Sequence, residues 1–216
     1  MVHSRRSSRI AAGEVHVVFW PTAFGSEGMV RTLLAEYVGC VPWRLEIDRA
    51  ASRPALGAAM GSDLSFNLSH SHDQRVLALA RDVRVGVDVE WLRGGLRVDA
   101  LVRRFFAASE ADAIAALPKS DRTAAFFRTW VRKEAYLKAV NAGVGVPAGL
   151  RRFVVSVTPD HPAIESTTLE PRGVSSFCLY DLDVPDGYVG ALAVEGTGHR
   201  IRYFDRSHVK GEGGQG

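Results

Sequence analysis

The sequence predicts an α+β fold made of two similar halves. Three observations carry this. Residues 83–91 alternate strictly, with Val83, Val85, Val87, Val89 and Trp91 on one face and Arg84, Gly86, Asp88 and Glu90 on the other. That is the period of a half-buried strand. Residues 120–141 hold no proline or glycine and many helix formers, which predicts a long helix. Each side of residue 97 offers helical and strand-like segments in similar order, which suggests a duplicated architecture although no sequence repeat is visible. The 216 residues suffice for two halves of about 100 each.

Residues 1–13 are basic and rich in Ser and Arg but lack the apolar run of a secretory signal, so they read as a flexible tail. The first half spans 14–97. Residues 15–20 form a short apolar strand ended by Pro21. Residues 28–38 put Met29, Val30, Leu33, Leu34 and Tyr37 at helical spacing and stop at Gly39, which suits the position after a helix. Arg31 rides on this helix. Residues 43–47 read as a strand, and 50–63 as a connector carrying Arg53 and Pro54. The run Phe66-Asn67-Leu68-Ser69-His70-Ser71-His72 starts apolar and gives way to polar turn residues. Residues 76–80 and 83–91, separated by Arg81 and Asp82, read as a hairpin. Asp88 and Glu90 then project from the same side, roughly 6.5–7 Å apart along the strand. Gly86 beside them suggests close approach of another backbone or a ligand.

The second half spans 98–206. Residues 99–116 read as helix, with Leu101, Val102, Phe105 and Phe106 inward, and Ser109-Glu110-Ala111-Asp112 marks a candidate second start within it. On the long helix that follows, Phe127, Trp130, Val131, Glu134 and Lys138 share an inward face, while Arg128 and Arg132 take the solvated one. Segments 153–157, 177–181, 188–194 and 201–204 are strand-like. The glycine-rich residues 207–216 read as a second flexible tail.

Composition narrows the function. Hydrophobic residues are 46% and charged residues 24% of the chain, which is ordinary globular usage. A net charge of +3 suits an acidic ligand or partner but is too weak to indicate nucleic acid. No apolar run is long enough to span a membrane. Cys40 and Cys178 stand in no ligand spacing, which fits a reducing cytoplasm and argues against structural zinc. The only lysines are Lys119, Lys133, Lys138 and Lys210, so two on one helix, five residues apart, draw notice.

An acid on an apolar helix stripe is costly unless something pairs with it. An internal Glu134–Lys138 salt bridge is one explanation. The other joins Glu134 to Asp88 and Glu90 as three hard oxygen ligands suited to Mg²⁺, with Mn²⁺ as a substitute; such a cation takes its remaining ligands from water and substrate phosphates. His70 and Lys138 suit phosphate oxygens. A P-loop is absent.

The ordered set Ser69-His70, Gly86-Val87-Asp88-Val89-Glu90 and Trp130-x-x-Lys133-Glu134-Ala135-x-x-Lys138 resembles the surfactin-type 4′-phosphopantetheinyl transferases. Arg103-Arg104-Phe105-Phe106-Ala107 with Glu110, the pair Arg53-Pro54, and Arg31 add to the resemblance, which runs from about residue 24 to 153. It implies two α+β halves in a pseudo-twofold arrangement. It implies transfer of the phosphopantetheine arm of coenzyme A to a serine of an apo acyl or peptidyl carrier protein, with release of adenosine 3′,5′-bisphosphate. Fatty-acid, polyketide and nonribosomal-peptide carriers, with acidic recognition helices, are the partners so implied, for a monomeric enzyme. By the same resemblance Asp88, Glu90 and Glu134 hold Mg²⁺, and Lys138 neutralises the pyrophosphate. Ser69, His70 and Arg31 hold phosphate oxygens, and Arg53 and Pro54 line the nucleotide. Glu134, or a water it holds, is the base, which makes Glu134 and Lys138 the catalytic pair. Arg103, Arg104, Arg122, Arg128 and Arg132 are candidates to meet an acidic carrier. Ser52, where the family commonly has glycine, and His72, where a small residue is frequent, depart from the pattern. The competing classes are another Mg²⁺-dependent phosphoryl or nucleotidyl transferase and a non-catalytic basic module.

Overall fold

The computed structural model describes residues 9–25, 27–48, 55–140 and 149–206. It is α+β. Strand β1 (Glu14–Pro21) leads into helix α1 (Glu27–Val38) and two short strands, β2 (Ile47–Asp48) and β3 (Ala55–Leu56). Strands β4 (Leu64–Ser71), β5 (Gln74–Arg81) and β6 (Val85–Trp91) precede helices α2 (Val98–Phe105), α3 (Ala108–Ala116) and α4 (Lys119–Val140). Strands β7 (Phe153–Val155), β8 (Ile164–Thr167), β9 (Phe177–Asp181), β10 (Tyr188–Glu195) and β11 (Arg200–Asp205) complete the chain.

Two main sheets form, ordered β11-β1-β5-β4 and β6-β10-β9. Alternation along the strands assigns their faces. Val15, Val17 and Phe19 of β1 and Val76, Ala78 and Ala80 of β5 face Val85, Val87 and Val89 of β6 and Leu192 and Val194 of β10, so the two sheets share one core. The opposite residues, Val18, Trp20, Leu77 and Leu79, pack on Leu33, Leu34 and Tyr37 of α1. On the far side Leu179, Ala191 and Ala193 pack on Val131, Ala135 and Ala139 of α4. Each sheet thus carries its long helix on its outer face, giving helix, sheet, sheet and helix in order. Period-2 strands with both faces apolar are what such burial requires.

Several expectations change. Residues 76–80 and 83–91 do not form a hairpin: β5 pairs with β4 from Leu64↔Arg81 to Ser71↔Gln74, and β6 leaves to pair with β10. Both edges of β5 are already taken, by β1 and β4, so β6 has no place beside it; Asp82 takes φ 58° in the connecting turn. Strand β6 joins the second sheet, and β11 returns to run parallel to β1. Ser69, His70 and Ser71 lie within β4, and the turn begins only at His72. Residues 42–44 are a short 3-10 turn, and only Ile47–Asp48 of the expected 43–47 strand is extended. Ile10, expected in a loose tail, is buried in the α1 core. The helical region before α4 is two helices; Glu110 accepts the Ala107 N–H at 2.9 Å and so caps the second.

Helix α4 is buried nearly all round from Ala125 to Ala139. Arg132 therefore does not take a solvated face. It is fully buried, its guanidinium clamped on both Asp181 oxygens at 2.8 and 2.5 Å and on the Ser156 and Thr158 carbonyls at 2.7 and 2.8 Å. Arginine can be buried when its fork is filled in this way.

Candidate active site

The two sheets meet edge to edge where β4 runs beside β6. No backbone ladder joins them. Polar side chains do so instead. Asn67, Ser69 and Ser71 are two residues apart on β4, so all three face β6. Asn67 Oδ1 accepts the Val87 N–H at 2.9 Å, Ser69 Oγ donates to Asp88 Oδ1 at 2.7 Å, and Ser71 Oγ donates to Glu90 Oε2 at 2.7 Å. Ser71 Oγ also accepts the Trp91 N–H at 3.1 Å. An open strand edge is thereby satisfied by side chains, which leaves room for charged groups in the seam.

Gly86 sets the height of α4 above this seam. A Cβ at Gly86 would lie 2.2 Å from the Ala135 carbonyl oxygen and 2.4 Å from the Ala139 nitrogen. The helix backbone rests directly on the strand, as only glycine allows. The approaching neighbour that Gly86 signals in the sequence is thus the α4 backbone. Glu134 and Lys138, beside these two alanines, are carried to the seam. Lys138 Nζ donates to Asp88 Oδ1 at 2.7 Å, to Ser69 Oγ at 3.1 Å and to the Val87 carbonyl at 3.1 Å.

The electrostatics follow from this crowding. Glu134 is half-buried, and its carboxyl is pushed up to about 7. Burial is the main cause, and the charges of Asp88 and Glu90 add to it, while Lys138 pulls the other way. Two buried carboxylate oxygens, Asp88 Oδ2 and Glu134 Oε1, have no hydrogen-bond partner. Leaving such atoms bare costs free energy unless a ligand serves them. Among the described residues no group of three or more His, Cys, Asp or Glu side chains is placed so as to hold a metal ion. Lys138 instead holds the nearer oxygen of Asp88. The donor set still fits a hard cation: the two bare oxygens are carboxylate oxygens, and Glu90 adds another carboxylate at the same seam.

Of the remaining expected site residues that are described, Ser69 lies at the seam and His70 and Arg31 do not. Ser69 supports Asp88, its hydroxyl already engaged by Asp88 and Lys138. His70 is exposed and, by strand alternation, on the face of β4 opposite Ser69 and Ser71. Arg31 on α1 donates to the Pro42 and Leu45 carbonyls at 3.2 and 2.5 Å, so it fixes that turn. Arg53 and Pro54 lie outside the described residues. Asn67 and Ser71 went unassigned in the sequence. The signal for them was the period of two in Asn67-x-Ser69-x-Ser71.

Lys133, next to Glu134, turns into the core. Its ammonium bonds both Glu110 oxygens at 2.6 and 2.8 Å and the Phe153 carbonyl at 2.7 Å. Glu110 also accepts the Val155 N–H at 2.8 Å. Burial pulls Lys133 down to about 8, against the opposing attraction of Glu110. This pair ties α3, β7 and α4 together one residue from the seam.

Residues 84–193 match the family model of the 4′-phosphopantetheinyl transferase superfamily. The chain is 33% identical over 179 residues to 4′-phosphopantetheinyl transferase HetI of Nostoc sp., covering 82% of this chain and 72% of that protein. It is 32% identical over 126 residues to 4′-phosphopantetheinyl transferase psf-1 of Bacillus pumilus, covering 52% of each. It is 29% identical over 143 residues to the human L-aminoadipate-semialdehyde dehydrogenase-phosphopantetheinyl transferase, covering 61% of this chain and 45% of that protein. The chain thus spans about half the length of the last two relatives. The matched span contains β6, α4 and every charged group that meets β4 at the seam, and the chain belongs to the 4′-phosphopantetheinyl transferase superfamily.

Proposed function

We propose that this chain moves the phosphopantetheine arm of coenzyme A onto a serine hydroxyl of an apo carrier protein, with Mg²⁺ as cofactor. One observation carries the reading. A carboxyl held near neutrality, two bare buried carboxylate oxygens and a lysine meet at one seam between the sheets. That is the equipment for an attacking hydroxyl and a departing phosphate. The serine oxygen forms a new bond to the phosphorus of the arm. The bond from that phosphorus to the adenosine bisphosphate oxygen breaks, and adenosine 3′,5′-bisphosphate leaves.

Glu134, or a water it holds, serves as the base that takes the serine proton. Lys138 stays close enough to the Asp88 oxygen to reach a pyrophosphate placed there and to stabilise charge on the leaving oxygen. Asp88, Glu90 and Glu134 would hold the Mg²⁺. When bound, that ion neutralises pyrophosphate charge and polarises its oxygens. Ser69 and Ser71 orient Asp88 and Glu90. His70, on the other face of β4, and Arg31 are assigned to phosphate oxygens of the nucleotide, the 3′-phosphate included, and Arg53 and Pro54 to the nucleotide itself.

The acidic carrier helix is assigned to Arg103 and Arg104, which are exposed on α2, and to the cleft of about 440 Å³ lined by Arg97, Asp99, Arg103 and Lys119. Arg132 leaves the set of candidate arginines because it is buried, and Arg122 and Arg128 leave it because they are half-buried and their guanidiniums donate to backbone carbonyls, of Leu117 and Ala115 and of Val157. The working unit is one chain, since both halves supply the seam. No helix among the described residues is long and apolar enough to cross a membrane. With Cys40 and Cys178 both free, we assign the protein to a reducing cytoplasm.

The test is calorimetry of coenzyme A binding with and without Mg²⁺. The proposal requires binding that strengthens with Mg²⁺ and weakens in the Asp88→Asn variant. Equal binding by both proteins in both conditions would overturn it.

A further inference from the structure

The β4–β5 hairpin closes with a two-residue turn, His72–Asp73, between paired Ser71 and Gln74. His72 takes φ 51°, a conformation for which glycine is the default. A histidine held there calls for a compensating contact, and the structure shows one. The His72 ring lies 4.4 Å from that of Trp91, tilted by 34°. Trp91 is the last residue of β6, and its cross-strand partner on β10 is Tyr188. The Tyr188 hydroxyl donates to the Asp73 carboxylate, and it lies 3.4 Å from His72 Nδ1. The tip itself is anchored from behind, where the Thr22 N–H donates to the Asp73 carbonyl at 2.7 Å.

We propose that His72, Asp73, Trp91 and Tyr188 form a clasp that closes the outer end of the β4/β6 seam and so positions Glu90. The inner end is fixed by Asn67, Ser69 and Lys138. At the outer end, among the described residues, Ser71 alone links β4 to Glu90 and to the Trp91 N–H. Ser71 is joined directly to His72, and Glu90 directly to Trp91. The tilted ring contact therefore holds residues 72 and 91 together, and with them Ser71 and Glu90, while the Tyr188 hydroxyl ties the Asp73 side of the turn to the β10 neighbour of Trp91. His72 and Trp91 are positioning residues; neither is given contact with the substrate. The inference rests on the reading of Glu90 as a ligand-holding carboxylate.

The test uses the full chain with His72→Gly and Tyr188→Phe. Glycine relaxes the backbone at residue 72, so the variant folds, and phenylalanine keeps the Tyr188 ring. Amide hydrogen exchange at Trp91 is read beside that at Val87, whose N–H is held by Asn67 at the inner end. The expected result is exchange about tenfold faster at Trp91 with Val87 unchanged. With coenzyme A present, the Mg²⁺ concentration for half-maximal calorimetric binding should rise roughly tenfold, as when a supporting hydrogen bond to a ligand residue is lost. Unchanged protection at Trp91 overturns the clasp. Faster exchange at Trp91 with an unchanged Mg²⁺ requirement overturns its role in positioning Glu90. Equal acceleration at both amides marks a general loss of stability and also overturns it. If the wild-type protein shows no Mg²⁺-dependent coenzyme A binding, the functional reading fails, and the exchange measurement alone decides the clasp.

Discussion

Replacing Glu134 by glutamine should make the metal-free protein more stable, and the gain should depend on pH. The carboxyl titrates near 7 in the folded chain against an ordinary value of 4.5, chiefly because it is buried and faces Asp88 and Glu90. Below pH 4.5 it is protonated in both folded and unfolded chains and contributes nothing. Between 4.5 and 7 the unfolded chain releases the proton while the folded chain keeps it, so stability falls as pH rises. Above 7 the folded chain carries the full penalty of a charged, crowded carboxylate. At 1.36 kcal/mol per pH unit, that penalty is roughly 2–3 kcal/mol once solvent access to a half-buried group is allowed for. Glutamine keeps the shape and removes the charge. For a chain of this size the gain corresponds to about 4–12 °C in melting temperature at pH 8. The assay is thermal melting in chelator from pH 4 to 8.5, for wild type and Glu134→Gln. The curves should meet at pH 4 and separate through the window from 4.5 to 7. If the variant is less stable at pH 8, Glu134 is a structural partner of Lys138 and the electrostatic account of the seam is wrong.

Other consequences are equally open to measurement. Gly86→Ala should cost about 3 kcal/mol or more in denaturant unfolding, because the new methyl meets the α4 backbone and not a movable side chain; a loss under 1 kcal/mol would mean that helix and strand are not in direct contact. Lys133→Met leaves the buried Glu110 carboxylate without its cation and should cost about 3–5 kcal/mol in the same experiment, whereas wild-type stability would show that the pair contributes nothing. His70→Ala should leave the melting temperature within about 1 °C, since the residue is exposed, but raise the coenzyme A dissociation constant roughly tenfold if it holds a phosphate. A drop in melting temperature with unchanged affinity would make it structural.

Legibility in the sequence followed the clarity of the residue period. The alternation of residues 83–91 placed Asp88 and Glu90 on one face, and α4 puts Glu134 and Lys138 against that face. The strand's partner was not legible, because alternation fixes faces and says nothing of pairing, and a two-residue gap suited a hairpin that β5 cannot make with both its edges taken by β1 and β4. Helix α4 misled differently. Its sequence stripe is one-sided, yet the helix is buried nearly all round, so Arg132 and Lys133 point into the protein and are satisfied by Asp181 and Glu110. Those acids are 49 and 23 residues distant in sequence, beyond what local pattern reports. Strand β8 went unseen because its four residues, Ile164–Thr167, carry only one large apolar side chain. Ser71 and Asn67 were visible as letters but not as seam residues, since their role depends on β4 lying beside β6.

The central claim is that the charged groups of the seam transfer the phosphopantetheine arm. The most direct measurement is the intact mass of an apo carrier protein after incubation with this protein, coenzyme A and Mg²⁺. The account predicts a gain of one phosphopantetheine arm with the wild-type chain, and none above background with Asp88→Asn folded to the same melting profile. No mass gain with fatty-acid, polyketide or nonribosomal-peptide carriers, or an equal gain with Asp88→Asn, would contradict it.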